Sequence, residues 1–244
     1  MSFSDDFNDN SLDTERWEIT KYGTATIAEQ NQRIEVSIEY NVTEQWGGGL
    51  VTKGTYDLSW RFDVGIDVFP SGLSGDVCAN LIIATEKKGN VTSAWDAELA
   101  KYVDFGYSHE IGEIRVFYRN NGSENEIVSK PITNCFGLRI KGEPAKLTFY
   151  YKDSEGGEWI ELGTWDKPSD MFDMNALYIY FTGSTCAGSG TIAFDNFSLE
   201  ITTPSPLEQL QETITAFMEQ FIPILFNIMV LIIIMSLLRS SIKG

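Results

Sequence analysis

From Tyr56 to Val68 every even-numbered position is apolar and most of the odd ones are polar. A helix would scatter those apolar side chains around its circumference, whereas an extended strand puts them all on one face, so the stretch is expected to be a half-buried β-strand. Similar runs recur at 25–38, 113–118, 136–140, 146–151, 159–162, 176–181 and 191–201. Turn signals separate them, among them Asn120-Asn-Gly, Asp153-Ser-Glu-Gly-Gly and Gly183-Ser-Thr-Cys-Ala-Gly-Ser-Gly. Neighbouring strands are expected to pair as hairpins, and together they give an all-β fold of two packed antiparallel sheets over residues 1–201.

Six tryptophans and fifteen phenylalanines supply the apolar area for a core between those sheets. The length, 244 residues, suits one sandwich with an appendage. A net charge of −17 sets nucleic acid aside, because phosphate binding needs a basic surface. Three cysteines, Cys78, Cys135 and Cys186, allow at most one bridge within the chain. None sits in a Cys-x-x-Cys or helix-start context that would activate a thiol, so they read as small, mostly buried residues. The opening residues lack the basic start and apolar run of a secretory leader.

The pattern changes at Thr202-Thr-Pro-Ser-Pro206, a short Pro-containing linker over 202–206. Over 207–244 the period is helical. Leu207, Leu210, Ile214, Phe217, Phe221, Ile224, Ile228, Leu231, Met235 and Leu238 follow one another at spacings of three and four, the seam of a homo-oligomeric coiled coil. Between Gln220 and Leu238 there is no charge. As one long helix those residues would rise about 28 Å, close to the thickness of a hydrocarbon core. A membrane span over about 220–238 is therefore expected. Arg239 and Lys243 behind it would place the C-terminus in the cytoplasm and the β-domain outside. The other reading is a helix packed in the core of a filament, surface layer or membrane-containing virion.

The segment Phe3-Ser-Asp-Asp-Phe-Asn-Asp-Asn-Ser-Leu-Asp-Thr-Glu-Arg-Trp17 resembles the first strand and turn of concanavalin A-like lectin/glucanase domains, especially their laminin G-like modules. Trp46-Gly-Gly-Gly-Leu-Val-Thr-Lys53 is similar to their second-strand turn. Leu147-Thr-Phe-Tyr-Tyr151 with Gly156-Gly-Glu-Trp-Ile-Glu-Leu-Gly163 is similar to their late hairpin, and Ile192-Ala-Phe-Asp-Asn-Phe-Ser-Leu199 to their closing strand. The resemblance implies a jelly-roll sandwich. It leaves function open, because that fold carries lectins, glycosidases, adhesion modules and structural domains.

Related modules often tie their first and last strands with a hard cation, so the resemblance implies a structural calcium held by Asp5, Asp6 and Asp195. Glucanases of this type place their carboxylates on one strand as Glu-x-Asp-x-x-Glu, a pattern this chain lacks. Glu35 and Glu39 would lie about 13 Å apart on a strand, too far for glycoside hydrolysis, and Glu110 and Glu113 would face opposite sides. His109-Glu110-Ile-Gly-Glu113 lacks the second histidine of a zinc-protease helix, and His109 is the sole histidine. Four sequons, at Asn41, Asn90, Asn121 and Asn196, favour a glycosylated outer surface, with Asn196 in the closing strand the least accessible.

These features converge on a non-catalytic surface protein. An oligomeric, membrane-anchored stalk would display a lectin-like sandwich whose partners are glycans, lipid and copies of itself, with ligands met by strand faces or by the loop Gly183–Gly190. The structural subunit of an assembly and a divergent glycosidase are the alternatives.

Overall fold

The structure, a computed structural model, describes residues 2–39, 46–91, 99–168, 171–185 and 187–241, with the side chains of 46, 212, 213, 216, 219, 220, 233 and 235–241 outside the description. It divides into two units, Met1–Thr202 and Thr203–Gly244.

The first unit holds fifteen strands among the described residues. They are β1 Ser2–Asp5, β2 Trp17–Tyr22, β3 Thr26–Gln30, β4 Arg33–Ile38, β5 Trp46–Thr52, β6 Arg61–Ser74, β7 Val77–Ala84, β8 Lys101–Ser108, β9 Glu113–Asn120, β10 Ser123–Pro131, β11 Gly137–Glu143, β12 Lys146–Lys152, β13 Ile160–Asp166, β14 Tyr178–Thr185 and β15 Ser189–Thr202. One sheet runs β13-β12-β11-β6-β15-β4-β3, with β1 paired to β15, and the other runs β10-β9-β8-β7-β14-β5-β2. Every described pairing is antiparallel. The first and last strands meet, Phe3 opposite Leu199.

Alternation determines which faces meet. Phe62, Val64, Ile66 and Val68 of β6 point into the space between the sheets, as do Val77, Ala79, Leu81 and Ile83 of β7 and Ile179 and Phe181 of β14. Trp17 is buried at the centre of an aromatic group with Phe3, Phe7, Phe181 and Phe197. Its indole N–H donates to Asp5 Oδ2 at 2.9 Å, which satisfies the one polar atom that burial would otherwise orphan.

Three local readings change. The even-numbered apolar run does not begin a strand at Tyr56: β6 starts at Arg61, and Tyr56 instead makes an isolated bridge to Leu177. The run 25–38 is a hairpin of β3 and β4, because Asn31 and Gln32, at φ 55° and 62°, form a tight turn of the left-handed kind that suits hairpin twist. Trp46-Gly-Gly-Gly is a central strand rather than a turn. A Cβ on Gly49 would lie 2.0 Å from the Phe181 carbonyl oxygen, and one on Gly48 2.5 Å from that of Thr20, so the glycines let β5 fit between β14 and β2.

The second unit contains α1, Pro206–Ser241. Its start is a capping box: Ser205 Oγ accepts from the Glu208 amide at 3.2 Å, and the Glu208 carboxylate accepts from the Ser205 amide at 2.9 Å. Pro223 has no amide to donate, so it divides the hydrogen-bond ladder. Leu207, Leu210, Ile214, Phe217, Phe221, Ile224, Ile228 and Leu231 are all exposed; the side chains of Met235 and Leu238 lie outside the described residues. Among the described residues no helix is long and apolar enough to cross a membrane. The expected span over 220–238 therefore finds no support among the described residues.

Candidate functional site

The outer face of the β10-to-β2 sheet is a lattice that the strand register defines. One row runs Gly106–Asn80–Thr182–Gly49–Thr20, and the next Phe117–Asp104–Ile82–Tyr180–Val51–Glu18. A third carries Ser108–Cys78–Ser184–Gly47–Tyr22. Part of this face is apolar and covered. The chain leaving β7 folds back over it, so that Val91 and Leu99 pack on Val51, Ile82, Ala84, Tyr102 and Tyr180 as a second small core. Hydrogen bonds pin this cover: the Tyr180 hydroxyl donates to the Glu86 carbonyl at 2.9 Å and accepts from the Lys88 amide at 3.0 Å. Thr20 Oγ1 accepts from the Val91 amide at 2.6 Å and donates to the Val91 carbonyl.

Beside the cover the face becomes polar while staying largely shielded. Asn80, Asp104, Thr182 and Ser184 are all at most 7% exposed. Asn80 Nδ2 donates to Thr182 Oγ1 at 3.4 Å and to Ser184 Oγ at 3.5 Å. Glycines at 47, 49 and 106 carry no side chains beside them, so amide, hydroxyl and carboxylate groups stand side by side as a polar floor on this sheet face. Asp104 is the central carboxylate of this floor. At the far edge Glu124 is engaged by Arg119 at 3.3 Å and by the Tyr102 hydroxyl, whose pKa is raised first by burial and then by that carboxylate. Glu113 is paired with Arg115 at 2.6 Å.

The predicted calcium ligands fare differently. Asp5 and Asp6 border a cleft of about 550 Å³ together with Asp9, Asp13, Arg16 and Asn196. Asp5 is spent on the Phe7 amide and the Trp17 indole, and Asp6 on Asn8. Asp195 accepts from the Asn196 amide at 2.6 Å, and Arg33 stands 4.0 Å away. Burial, opposed by those two groups and abetted by Asp67 and Asp6, raises its pKa. Among the described residues no three His, Cys, Asp or Glu side chains are grouped to hold a metal.

Of the sequons, Asn90 and Asn121 are exposed, and Asn41 lies outside the described residues. Asn196 is exposed too, contrary to the strand expectation, because β15 bulges between Asp195 and Ser198 and turns it outward at φ 51°. Its amide donates to Asp67 Oδ2. Cys135 is fully buried, its thiol pushed up to about 12 by that burial. Cys78 is half-buried beside Asp76, and Cys186 lies outside the described residues. His109 sits in the turn after β8, where Nδ1 is 3.4 Å from the Tyr107 hydroxyl. The expected ligand loop Gly183–Gly190 is mostly strand. Thr185 Oγ1 ties its tip together, accepting from the Gly188 amide and donating to the Asp76 carbonyl, both at 2.6 Å.

Neither Asn80 nor Asp104 was a sequence candidate. The available signal was a lone Asn inside Val77-Cys-Ala-Asn-Leu-Ile-Ile-Ala84 and a lone Asp inside Tyr102-Val-Asp-Phe105, polar interruptions of otherwise apolar strands.

Geometry of this kind defines the class: a β-sandwich of two antiparallel sheets. The fold is similar to the carbohydrate recognition domain of Emp46p in its potassium-bound form, with TM-score 0.62 and 10% identity over 82% of this chain and 96% of that one. It is also similar to the carbohydrate recognition domain of Emp47p (TM-score 0.60, 11%, 82% and 95%) and to a laminarinase from Flavobacterium sp. UMI-01 (TM-score 0.53, 13%, 82% and 99%). No family model and no curated protein matches the chain. At these identities the likeness establishes the fold alone.

Proposed function

We propose that this chain is a non-catalytic, glycan-binding surface protein, and that the polar floor formed by Asn80, Asp104, Thr182 and Ser184 is where the sugar binds. The observation that carries this reading is chemical. A carboxamide, a carboxylate and two hydroxyls sit side by side on one glycine-flanked sheet face, and such a set both donates to and accepts from vicinal hydroxyls. Tyr22, 44% exposed at the rim of the same face, offers a ring for stacking. Carbohydrate recognition domains among the similar folds support the same ligand class.

A glycosidase needs two carboxylates with separate roles. Among the described residues, Asp104 faces Phe117 on β9 in the register, and the acid beyond it, Glu126, is two strands away on β10. Binding without turnover is the reading that fits. A glycan array probed with the full chain, wild type against Asn80→Ala and Asp104→Asn, tests it. Selective binding that both variants lose is expected; binding that neither variant alters would move the site elsewhere, and polysaccharide cleavage abolished by Asp104→Asn would make the chain an enzyme.

The helix completes the proposal. With the apolar side chains of its described residues exposed, α1 gathers copies through the Leu207–Leu238 seam and anchors the sandwich at a membrane, β-domain outward and C-terminus in the cytoplasm. Flotation with liposomes tests the anchor. Regular polymers that persist without lipid in electron micrographs would favour a filament or virion subunit instead.

A further inference from the structure

At the end of β13, in the sheet that does not carry the polar floor, a lysine borders an apolar pocket. The pocket holds about 300 Å³ and is walled by Pro144, Pro168, Met171, Phe172 and Met174, with Lys167 at its side and Ser59 at its rim. Its walls are tied to the sandwich by backbone hydrogen bonds, Lys167 to Ala145 at 2.8 Å, Leu58 to Met174 at 2.8 Å and Met171 to Pro168 at 3.0 Å. Phe172 and Met174 are each 5% exposed, so the pocket has a fixed floor.

Lys167 Nζ has the Met174 sulfur at 3.9 Å as its side-chain contact, a weak acceptor for an ammonium ion. In a chain with 35 acidic side chains against 18 basic ones, a half-buried ammonium would ordinarily meet a carboxylate. Among the described residues, the acids on the surrounding segments are directed elsewhere. Asp57 accepts from Ser59, Asp173 caps the Asn175 amide, Glu143 pairs with Lys146 at 3.5 Å, and Asp166 sits opposite Lys146 in the sheet register. Burial lowers the Lys167 pKa.

We infer that this pocket is a binding site for a small organic monoanion, a carboxylate carried on a compact apolar body, with Lys167 supplying the countercharge and the Met, Phe and Pro walls holding the apolar part. A neutral apolar molecule would leave the ammonium facing hydrocarbon, and a cation would add repulsion. A carboxylate removes the cost of the half-buried charge and gains a charge-assisted hydrogen bond.

Benzoate, benzyl alcohol and benzylamine make a matched set of probes. The full chain is treated with a trace of acetic anhydride in the presence of each, and acetylation of Lys167 relative to the other lysines is read by peptide mass spectrometry. Benzoate is expected to protect Lys167 selectively, and the alcohol and amine are not. In saturation-transfer NMR the affinity for benzoate falls at least about tenfold in Lys167→Met and is retained in Lys167→Arg. Melting curves of both variants show whether the sandwich stays folded. Equal protection by benzyl alcohol would mean a purely apolar pocket, and protection spread over all lysines would mean no site; either result overturns the inference, as does unchanged benzoate affinity in a folded Lys167→Met protein.

Discussion

Asn80 on β7 lies directly across the sheet from Gly106 on β8, and a Cβ added at Gly106 would stand 2.4 Å from Asn80 Oδ1. The glycine thus makes room for the carboxamide of the proposed sugar site. Gly106 does not have a positive φ, so alanine there meets no backbone strain and gains slightly in strand preference. Gly106→Ala is expected to push Asn80 out of place and weaken glycan binding about tenfold or more, while unfolding free energy changes by no more than about 1 kcal/mol. Array binding and urea denaturation of the same sample separate the two effects.

Trp17 joins the N-terminal segment to both sheets through its ring contacts and through Asp5. Trp17→Ala empties a site with 1% exposure and is expected to cost about 3–5 kcal/mol. Asp5→Ala leaves the ring in place but orphans the indole N–H, for about 1–3 kcal/mol. Chemical denaturation should rank the two in that order.

A different kind of close approach protects β5. A Cβ on Gly49 would fall 2.0 Å from the Phe181 carbonyl, an atom of the neighbouring backbone that cannot rotate away. Gly49→Ala must therefore push β5 and β14 apart. The expected loss is at least about 1–3 kcal/mol, the usual range for overpacking, read as a lower denaturation midpoint.

The contrast between Gly49 and Asn80 shows what the sequence made legible. Period-two alternation located the core faces of β6, β12 and β15, because burial selects side chains every second residue and leaves a visible trace. The Gly-Gly-Gly run read as a turn because glycine carries the same letter whether it bends a chain or admits a neighbouring strand. The difference lies in Phe181 and Thr20, far away in sequence. The polar floor was hidden for a similar reason: Asn80, Asp104, Thr182 and Ser184 come from three strands, and only register brings them together. Of the three aspartates expected to hold calcium, Asp5 accepts from the Phe7 amide and the Trp17 indole, Asp6 from the Asn8 side chain and Asp195 from the Asn196 amide, local bonds that residue type alone does not distinguish from metal ligation.

Alkaline pH should loosen the sandwich. Burial raises Cys135 and Tyr180 to about 12, and raises Tyr56 and Tyr107 in the same direction. Each raised acid keeps its proton more tightly folded than unfolded. Its contribution is complete below the unfolded pKa, near 9 for the thiol and 10 for the phenols, and is lost as pH rises towards the folded value. Stability is expected to decline from about pH 9 to 12. Cys135→Ala should flatten the lower part of that decline, and Cys135 in the native protein should resist thiol reagents at pH 8 until the chain is unfolded.

The α1 seam makes its own prediction because the first turns of the helix carry a single apolar stripe. Leu210 and Ile214 are 55% and 53% exposed, one step apart along it, and Glu208 and Gln209 stand beside them. Lipid would be a poor medium for that polar flank, whereas another copy of the helix covers the stripe and leaves the flank in water. Leu210→Asp with Ile214→Asp places two carboxylates in such an interface and is expected to abolish cross-linked oligomers of the full chain. Liposome flotation should persist, since the apolar half beyond Phe221 is untouched. Oligomers unchanged in the double variant would remove the seam as the device that gathers copies, and loss of flotation together with the oligomers would show that association, not the apolar half alone, holds the chain at the membrane.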